Sequence, residues 1–408
     1  MTNKKLKVGN VPNRRFPGFD GEWESKKLGD LANVSSGGTP NRANPLYWNG
    51  NIPWISTTLI DFNYIDKSEE YITEEGLKNS SAKLFPIGTL LMAMYGQGKT
   101  RGKISILNIE ATTNQACGAI ITNQEILNPV FVFQNLSRRY DEIRDLSNQG
   151  SQENLSGGII KGITISFPNL SEQQKISSFL TLIDERIHTQ NKIIEQLQTL
   201  IKGLSEKLFS QKTRFKDFTG EWELKSLGEL CKKAKSGGTP KSTIKEYYDG
   251  NIPFLSISDI TEQGKYLYST EKTISKKGLE NSTSWIVPID SIIYTMYASV
   301  GFVSMNKIEL ATSQAVLNLM PKSDIYTEYL YYYLVYFQKF VNKYITTGTQ
   351  GNLNAETVKN FEINLPTIKE QIKIAQCLGS IDNKIQTEKE LLNKYQSQKK
   401  HLLQNLFI

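Results

Sequence analysis

The chain repeats itself. The segment FPGFDGEWESKKLGDL at 16–31 recurs as FKDFTGEWELKSLGEL at 215–230, and SGGTPNRANPLYWNGNIPWIS at 36–56 recurs as SGGTPKSTIKEYYDGNIPFLS at 236–256. Further on, GLKNSSAKLFPIGTLLMAMY at 76–95 is matched by GLENSTSWIVPIDSIIYTMY at 278–297, NQA at 114–116 by SQA at 313–315, and GSQENLS at 150–156 by GTQGNLN at 348–354. The order is kept and the offset stays between 198 and 202 residues. Tryptophan, proline and glycine coincide individually, which shared composition alone does not produce. A duplication of this kind demands two similar folded halves with similar connections, and a chain of 408 residues is long enough for two separate cores.

Each half ends in a long helical pattern. From residue 171 the apolar positions Ile176, Leu180, Ile183, Ile187, Ile194, Leu197, Ile201, Leu204 and Leu208 alternate steps of four and three, with Gln190 filling the one gap. The second copy places Ile374, Leu378, Ile381, Ile385, Leu392, Tyr395, Leu402 and Leu406 on the same seam, with Glu388 and Lys399 among them. This is a heptad pattern sustained for over four heptads. Pro168 and Pro366 precede the helices, and Glu172 and Glu370 sit in the first turns, where acidic side chains favour the positive helix end. A helix of about 40 residues is about 60 Å long, more than one compact half can cover. The expected solution is that the two helices pair antiparallel, with a globular half at either end. The divisions expected on this basis are a globular half over 1–170, a helix over 171–212, a second half over 213–366 and a second helix over 367–408.

Within each half, short apolar runs (LLMAMY at 90–95, KISIL at 103–107, IIYTMY at 292–297, FVSM at 302–305) have the length and residue types of strands. The stretches 131–147 and 327–345 are amphipathic and helical in pattern, each leading into a glycine-containing polar loop. The fold class is therefore mixed α/β: two pseudo-symmetric globular domains and a long antiparallel two-helix coiled coil. The net charge of +7 fits an anionic partner without requiring one. The cysteines Cys117, Cys231 and Cys377 are far apart and show no zinc spacing, which points to reduced thiols and a cytoplasmic location. No apolar run approaches the ~20 residues of a membrane-spanning helix.

Three motifs resemble catalytic sites and fail on inspection. MYGQGKTRGK at 94–103 carries the Gly-Lys-Thr tail of a phosphate-binding loop, but position 93, where the first glycine belongs, is alanine. The segment RGKISIL after Thr100 is β-branched and strand-like rather than helical, so no helix N-terminus would face phosphates. NPLY at 44–47 is close to a methyltransferase Asn-Pro-Pro-Tyr motif, yet it lacks the second proline and the other half reads IKEYY. Glu24-x-Lys26, repeated as Glu223-x-Lys225, would serve a metal-dependent nuclease only with a matching aspartate, and Asp20 corresponds to Thr219. The two histidines, His188 and His401, lie in helical patterns. No catalytic set and no metal site emerges. The 94–103 loop, with Lys99, Arg101 and Lys103 beside Gln97 and Thr100, is either a solvated basic hairpin or a contact for duplex phosphates and base edges.

A duplicated half opening GEW…LG, followed by SGGTP…NIPW/F and then Pro168-x-x-x-Glu172-Gln173-x-x-Ile176 leading a heptad helix, repeated as Pro366-x-x-x-Glu370-Gln371-x-x-Ile374, resembles the specificity subunit of type I restriction–modification systems. The resemblance covers residues 16 to 408. It implies two target recognition domains, each reading one part of a bipartite double-stranded DNA target, and a helical spacer that fixes the unread gap. It implies partners that carry the chemistry: modification methyltransferase subunits, two of them, and restriction/translocase subunits. S-adenosylmethionine, ATP and Mg would then belong to those subunits, with no cofactor and no catalysis in this chain. Loop position and side-chain type single out DNA-contact candidates: Asn41, Arg42, Gln97, Lys99, Thr100, Arg101, Lys103, Gln149, Ser151 and Gln152 in the first half, and Lys241, Tyr297, Ser299, Thr347, Thr349 and Gln350 in the second. The shared Trp23/Trp222, Pro53/Pro253 and Gln115/Gln314 are expected to be scaffold. An autonomous restriction or modification enzyme and a coiled-coil scaffold for two protein-binding domains are the alternatives.

Overall fold

The computed structural model describes residues 9–96, 99–147, 154–297, 299–344 and 352–408. The chain divides into two units, one of residues 1–191 with 390–408 and the other of residues 192–389. The two share one topology, as the repeat requires.

In the first unit the strands are β1 (Glu24–Lys27), β2 (Ala32–Ser36), β3 (Trp48–Ile55), β4 (Tyr64–Ile65), β5 (Glu70–Ile72), β6 (Leu90–Ala93), β7 (Ile104–Leu107), β8 (Thr112–Thr113), β9 (Cys117–Thr122) and β10 (Thr164–Phe167). They form a five-stranded sheet in the order β2-β9-β6-β7-β4, a three-stranded sheet β5-β3-β8 and a ribbon β1-β10. The central strands β6 and β7 are buried along their whole length, which is why they appear as continuous apolar runs rather than alternating ones. Alternation instead decides which core each residue enters. Leu90, Met92, Ile104 and Ile106 face a core closed by the helix Pro129–Arg138, while Leu91, Ala93 and Leu107 face a second core with Ile55, Phe85 and Ala119.

The second unit repeats this with β11 (Glu223–Ser226), β12 (Cys231–Ser236), β13 (Tyr248–Leu255), β14 (Tyr266–Leu267), β15 (Lys272–Ile274), β16 (Ile292–Thr295), β17 (Val303–Asn306), β18 (Ala311–Thr312), β19 (Val316–Pro321) and β20 (Glu362–Leu365). Its sheets run β12-β19-β16-β17-β14 and β15-β13-β18, with the ribbon β11-β20. The stretch 131–147, expected as one helix, is two: Pro129–Arg138 and Tyr140–Asp145. Arg139 stands between them with a non-helical backbone, and its side chain donates to the Thr164 carbonyl and Glu142. The stretch 327–345 likewise begins as α-helix over Thr327–Phe337 and tightens to a 3-10 turn over Gln338–Lys343.

The two long helices span Leu170–Phe209 and Ile368–Leu406. Every seam residue named above is buried or half-buried, and so are Gln190, Glu388 and Lys399 at the breaks in the apolar pattern. In the first unit, Ile183 and Ile187 near the start of the first long helix share a core with Leu402, Leu403 and Leu406 near the end of the second. Lys399 on that seam lies 2.5 Å from Asp184, and Gln134 donates to the same carboxylate at 2.7 Å. In the second unit the roles exchange: Ile201, Leu204 and Leu208 near the end of the first helix pack with Ile374 and Leu378 near the start of the second. There the aspartate is Asp382, which accepts from the Tyr332 hydroxyl at 2.7 Å, and Tyr332 in turn accepts from Lys265 at 2.8 Å. Burial pushes the Lys265 ammonium below its ordinary pKa.

The terminal turn of each helix completes a core. Phe407 lies 5.0 Å from the Phe131 ring and edge-on to Trp23; Phe209 lies 5.2 Å from Tyr333 and 5.7 Å from Tyr329. The Glu-Gln pair at each helix start is a joint with three arms. Glu172, fully buried, takes a two-pronged pair from Arg15 at 2.7 and 2.6 Å, and Glu370 takes the same from Arg214 at 2.7 and 2.7 Å. Gln173 accepts from the Asn128 backbone N–H at 2.9 Å and donates to the Pro168 and Ile126 carbonyls. Gln371 accepts from the Tyr326 N–H at 2.9 Å and donates to Pro366. Each joint thus ties the chain leading into a unit and the start of the sheet-covering helix to the long helix, with the buried polar groups satisfied. The architecture is the mixed α/β repeat with long helices that the sequence calls for.

Candidate nucleic-acid interface

One end of the five-stranded sheet collects the polar loops of each unit. In the first, strand β6 runs out into Met94 and Tyr95. The Met94 N–H donates to the Ala116 carbonyl at 2.8 Å and the Leu155 N–H donates to the Met94 carbonyl at 2.9 Å. Gly38 donates to the Thr113 carbonyl at 2.8 Å and Asn114 to Ile55 at 3.1 Å. These backbone bonds bring together the Gly-Gly-Thr-Pro loop, the turn after β3, the 94–103 hairpin and the Asn-Gln-Ala turn. The second unit copies them: Met296 to Ala315 at 2.8 Å, Leu353 to Met296 at 3.0 Å and Gly238 to Thr312 at 2.9 Å. The paired glycines are required by close approach. A Cβ on Gly37 would stand 1.9 Å from the Thr113 carbonyl oxygen, and one on Gly237 would stand 1.9 Å from that of Thr312.

The hairpin over 94–103 is not a nucleotide loop. Residues 99–102 form a turn and strand β7 comes next, with no helix. Lys99 is exposed and Thr100 half-buried. Arg101 departs from expectation, being only 7% exposed. The reason is that the hairpin lies against Tyr140–Asp145: the Tyr140 hydroxyl donates to the Lys99 carbonyl at 2.6 Å, and Gly102, at φ +85°, sits against Arg144. Arg101 is thus largely withdrawn from solvent beside that turn. Lys103 is committed to Asp61 at 2.5 Å.

In the neighbouring loop, Asn41 is exposed and shapes its own turn, accepting from the Ala43 N–H at 3.0 Å. Arg42 lies 3.8 Å over the Trp48 ring and 4.6 Å from that of Trp54, and pairs with Glu70 through both guanidinium nitrogens. That hydrogen bond holds the Glu70 carboxyl below its ordinary pKa. In the second unit Lys241 is exposed, Tyr297 is 39% exposed, and Ser299 is exposed at φ +51° with its carbonyl accepting from Thr295. Gln97, Gln149, Ser151, Gln152, Thr347, Thr349 and Gln350 lie outside the described residues. The candidates on described residues therefore lie in the clustered loops, with Arg101 largely buried and Arg42 and Lys103 already paired.

The methyltransferase-like NPLY segment is a capped 3-10 turn, with the Asn44 side chain accepting from the Leu46 N–H at 3.1 Å. Glu24 and Lys26 pair with each other at 2.8 Å on an exposed ribbon, as do Glu223 and Lys225 at 2.7 Å. Of the shared residues, Trp23 is a core residue, 3% exposed. Gln115 and Gln314 are not scaffold in that sense, because both are exposed at the loop cluster. Gln115 accepts from the Thr39 hydroxyl at 2.6 Å and Gln314 from that of Thr239 at 2.8 Å. The repeated Thr-Pro and Gln-Ala pairs are the sequence signal for this contact.

The sequence matches the family described as type I restriction modification DNA specificity domain twice, over residues 20–199 and 219–396. Among curated relatives, the MjaIX specificity subunit of Methanocaldococcus jannaschii is 27% identical over 275 residues, 64% of this chain and 61% of its own length. The EcoR124I/EcoR124II specificity subunit of Escherichia coli is 33% identical over 170 residues, 40% of this chain and 42% of its own. The chain thus spans less than two thirds of the length of either. The MjaVIII specificity subunit of M. jannaschii aligns across 94% of this chain and 91% of its own at 22% identity. In structure, the S subunit of a type I restriction–modification system from M. genitalium superposes with a TM-score of 0.65 at 18% identity, covering 98% of this chain and 99% of that one. With the family matched over both halves, the chain belongs to the type I restriction–modification DNA specificity subunits.

Proposed function

We propose that each unit reads one part of a two-part double-stranded DNA target through the loops gathered at the end of its five-stranded sheet. The observation that carries this is a constant frame with divergent loops. The backbone bonds around Met94 and Met296 are the same, while the hairpin between β6 and β7 is GQGKTRGK in one unit and ASVG in the other. A shared scaffold with different loops suits two different half-site words. The long helices, each contributing to both cores, set the gap between the words, since helices resist bending where loops do not. They also offer the surface on which two methyltransferase subunits dock, with restriction/translocase subunits joining the assembly. In this reading S-adenosylmethionine, ATP and Mg act on those partners, and this chain supplies the address rather than the chemistry.

The test is selection of duplexes from a random-sequence pool by the full chain. Two short fixed words separated by an unread gap of constant length is the expected result. Enrichment of a single continuous word, or of none, refutes the proposal.

A further inference from the structure

The loop cluster contains a second kind of repetition, in polar and aromatic side chains rather than in backbone. Thr39 and Gln115 bond to each other at 2.6 Å, and Thr239 and Gln314 do so at 2.8 Å. Beside them, the Ser56 and Thr58 hydroxyls share a bond of 2.6 Å, and Ser256 and Ser258 one of 2.7 Å. Tyr95 and Tyr297, 44% and 39% exposed, come directly after the residues bonded to Ala116 and Ala315. Buried repeats are explained by a shared core. Gln115, Gln314, Tyr95 and Tyr297 are exposed, so a shared core does not explain their repetition.

The pairs are also built to hold one geometry. The Gly-Gly segment before each threonine lies so close to the neighbouring strand that no side chain fits. Gly38 and Gly238 are each bonded to that strand through their backbone N–H. The threonine hydroxyl occupies the acceptor oxygen of the glutamine amide and so fixes its Nε2 donor end in a set direction. The result is an uncharged donor, the glutamine Nε2, held in the same way in two units whose adjacent hairpins differ in sequence.

We infer that Gln115, oriented by Thr39, and Gln314, oriented by Thr239, each donate an amide N–H to the sugar–phosphate backbone of the DNA, one phosphate in each half-site, independent of base sequence. The inference rests on the reading that the loop cluster meets DNA. A contact retained by both units must go to what two different words have in common, which is the backbone. A neutral amide N–H is suited to a phosphate oxygen, and such contacts fix register without carrying sequence information. The strand ends that lead into the divergent hairpins are held beside this anchor by the Met94–Ala116 and Met296–Ala315 bonds.

The experiment uses the full chain and the duplex it selects from the random pool. Each phosphate is replaced in turn by an uncharged methylphosphonate. For the native chain, the phosphate met by the glutamine in each half-site should, when replaced, lower affinity by about ten- to a hundred-fold, the worth of a hydrogen bond to a charged group. Gln115→Ala should lose a similar factor, retain the selected sequence, and no longer respond to the methylphosphonate in the first half-site. Gln314→Ala should do the same in the second. Unchanged affinity in both variants overturns the inference, as does a changed base preference at one half-site, which would make the glutamine a base reader. Loss of response at every phosphate together would indicate a disturbed loop and also counts against it, with thermal melting as the check on folding; Thr39→Val, which frees the Gln115 amide, should weaken binding at the same phosphate as Gln115→Ala. If the native chain selects no sequence at all, the DNA-reading proposal itself fails, a result distinct from these.

Discussion

Replacing Arg214 by methionine should be among the most damaging single changes in the second unit. The Glu370 carboxylate is 1% exposed, and both of its oxygens are held by Arg214, at 2.7 and 2.7 Å. Removing the guanidinium leaves a buried charge without its counter-ion, which typically costs 3–5 kcal/mol. Arg214 is itself 23% exposed, so water can enter where its head group stood, and the lower end, about 3 kcal/mol, is expected. The double variant Arg214→Met/Glu370→Leu removes both charges and should recover most of this. A deficit of about 1 kcal/mol should remain, because an acidic side chain in the first helical turn is lost. Urea unfolding followed by far-UV circular dichroism and tryptophan fluorescence measures all four corners of the cycle. A loss under about 1 kcal/mol for Arg214→Met, or a double variant no more stable than the single, would refute the view of Glu370 as a charge that depends on this one partner. Arg15→Met should behave alike through Glu172, with the two effects adding.

The same geometry fixes other outcomes. Lys99→Glu should weaken DNA binding and lower the slope of log affinity against log salt by about one, whereas Arg101→Glu, at a largely buried position, should lower the unfolding midpoint. Burial pushes the thiols of Cys117 and Cys231 up to about 12. At pH 8 only about one in ten thousand of each is then thiolate, so iodoacetamide should modify half-buried Cys377 first and the other two only after unfolding, as mass spectrometry would show. Gly37→Ala should cost about 1–3 kcal/mol or more through displacement of the Thr113 carbonyl and weaken binding of the first half-site, read by denaturation and by titration with half-site duplexes. Phe407→Ala should cost about 3–5 kcal/mol in the first unit, by the same unfolding assay.

Much of the fold can be inferred from the sequence because its strongest signals are periodic or local. The heptad steps from Ile176 to Leu208 place the buried stripe of the long helix, and even the polar interruptions at Gln190, Glu388 and Lys399 keep to it. The runs at 90–95 and 103–107 read as strands because β6 and β7 are buried on both faces. Pairing across distance is what escapes such signals. Nothing local tells Arg15 that its partner is Glu172, 157 residues on. Arg101 looks like a DNA contact when its hairpin is judged alone, without the helix Tyr140–Asp145 it leans on. Gln115 and Gln314 repeat at exposed positions, and repetition alone does not separate these from the buried glycines and prolines beside them.

The seating of Phe407 against Trp23 and Phe131 has a consequence for synthesis. The second unit is one continuous stretch, 192–389, but the first is completed only by residues 390–408. At about 5–20 residues per second, translation of the intervening segment takes on the order of 10–40 seconds. Throughout that interval the nascent first unit presents an open aromatic socket. The later-made unit is thus free to close before the earlier one, and a premature stop codon just short of Phe407 would leave that socket open in every molecule made.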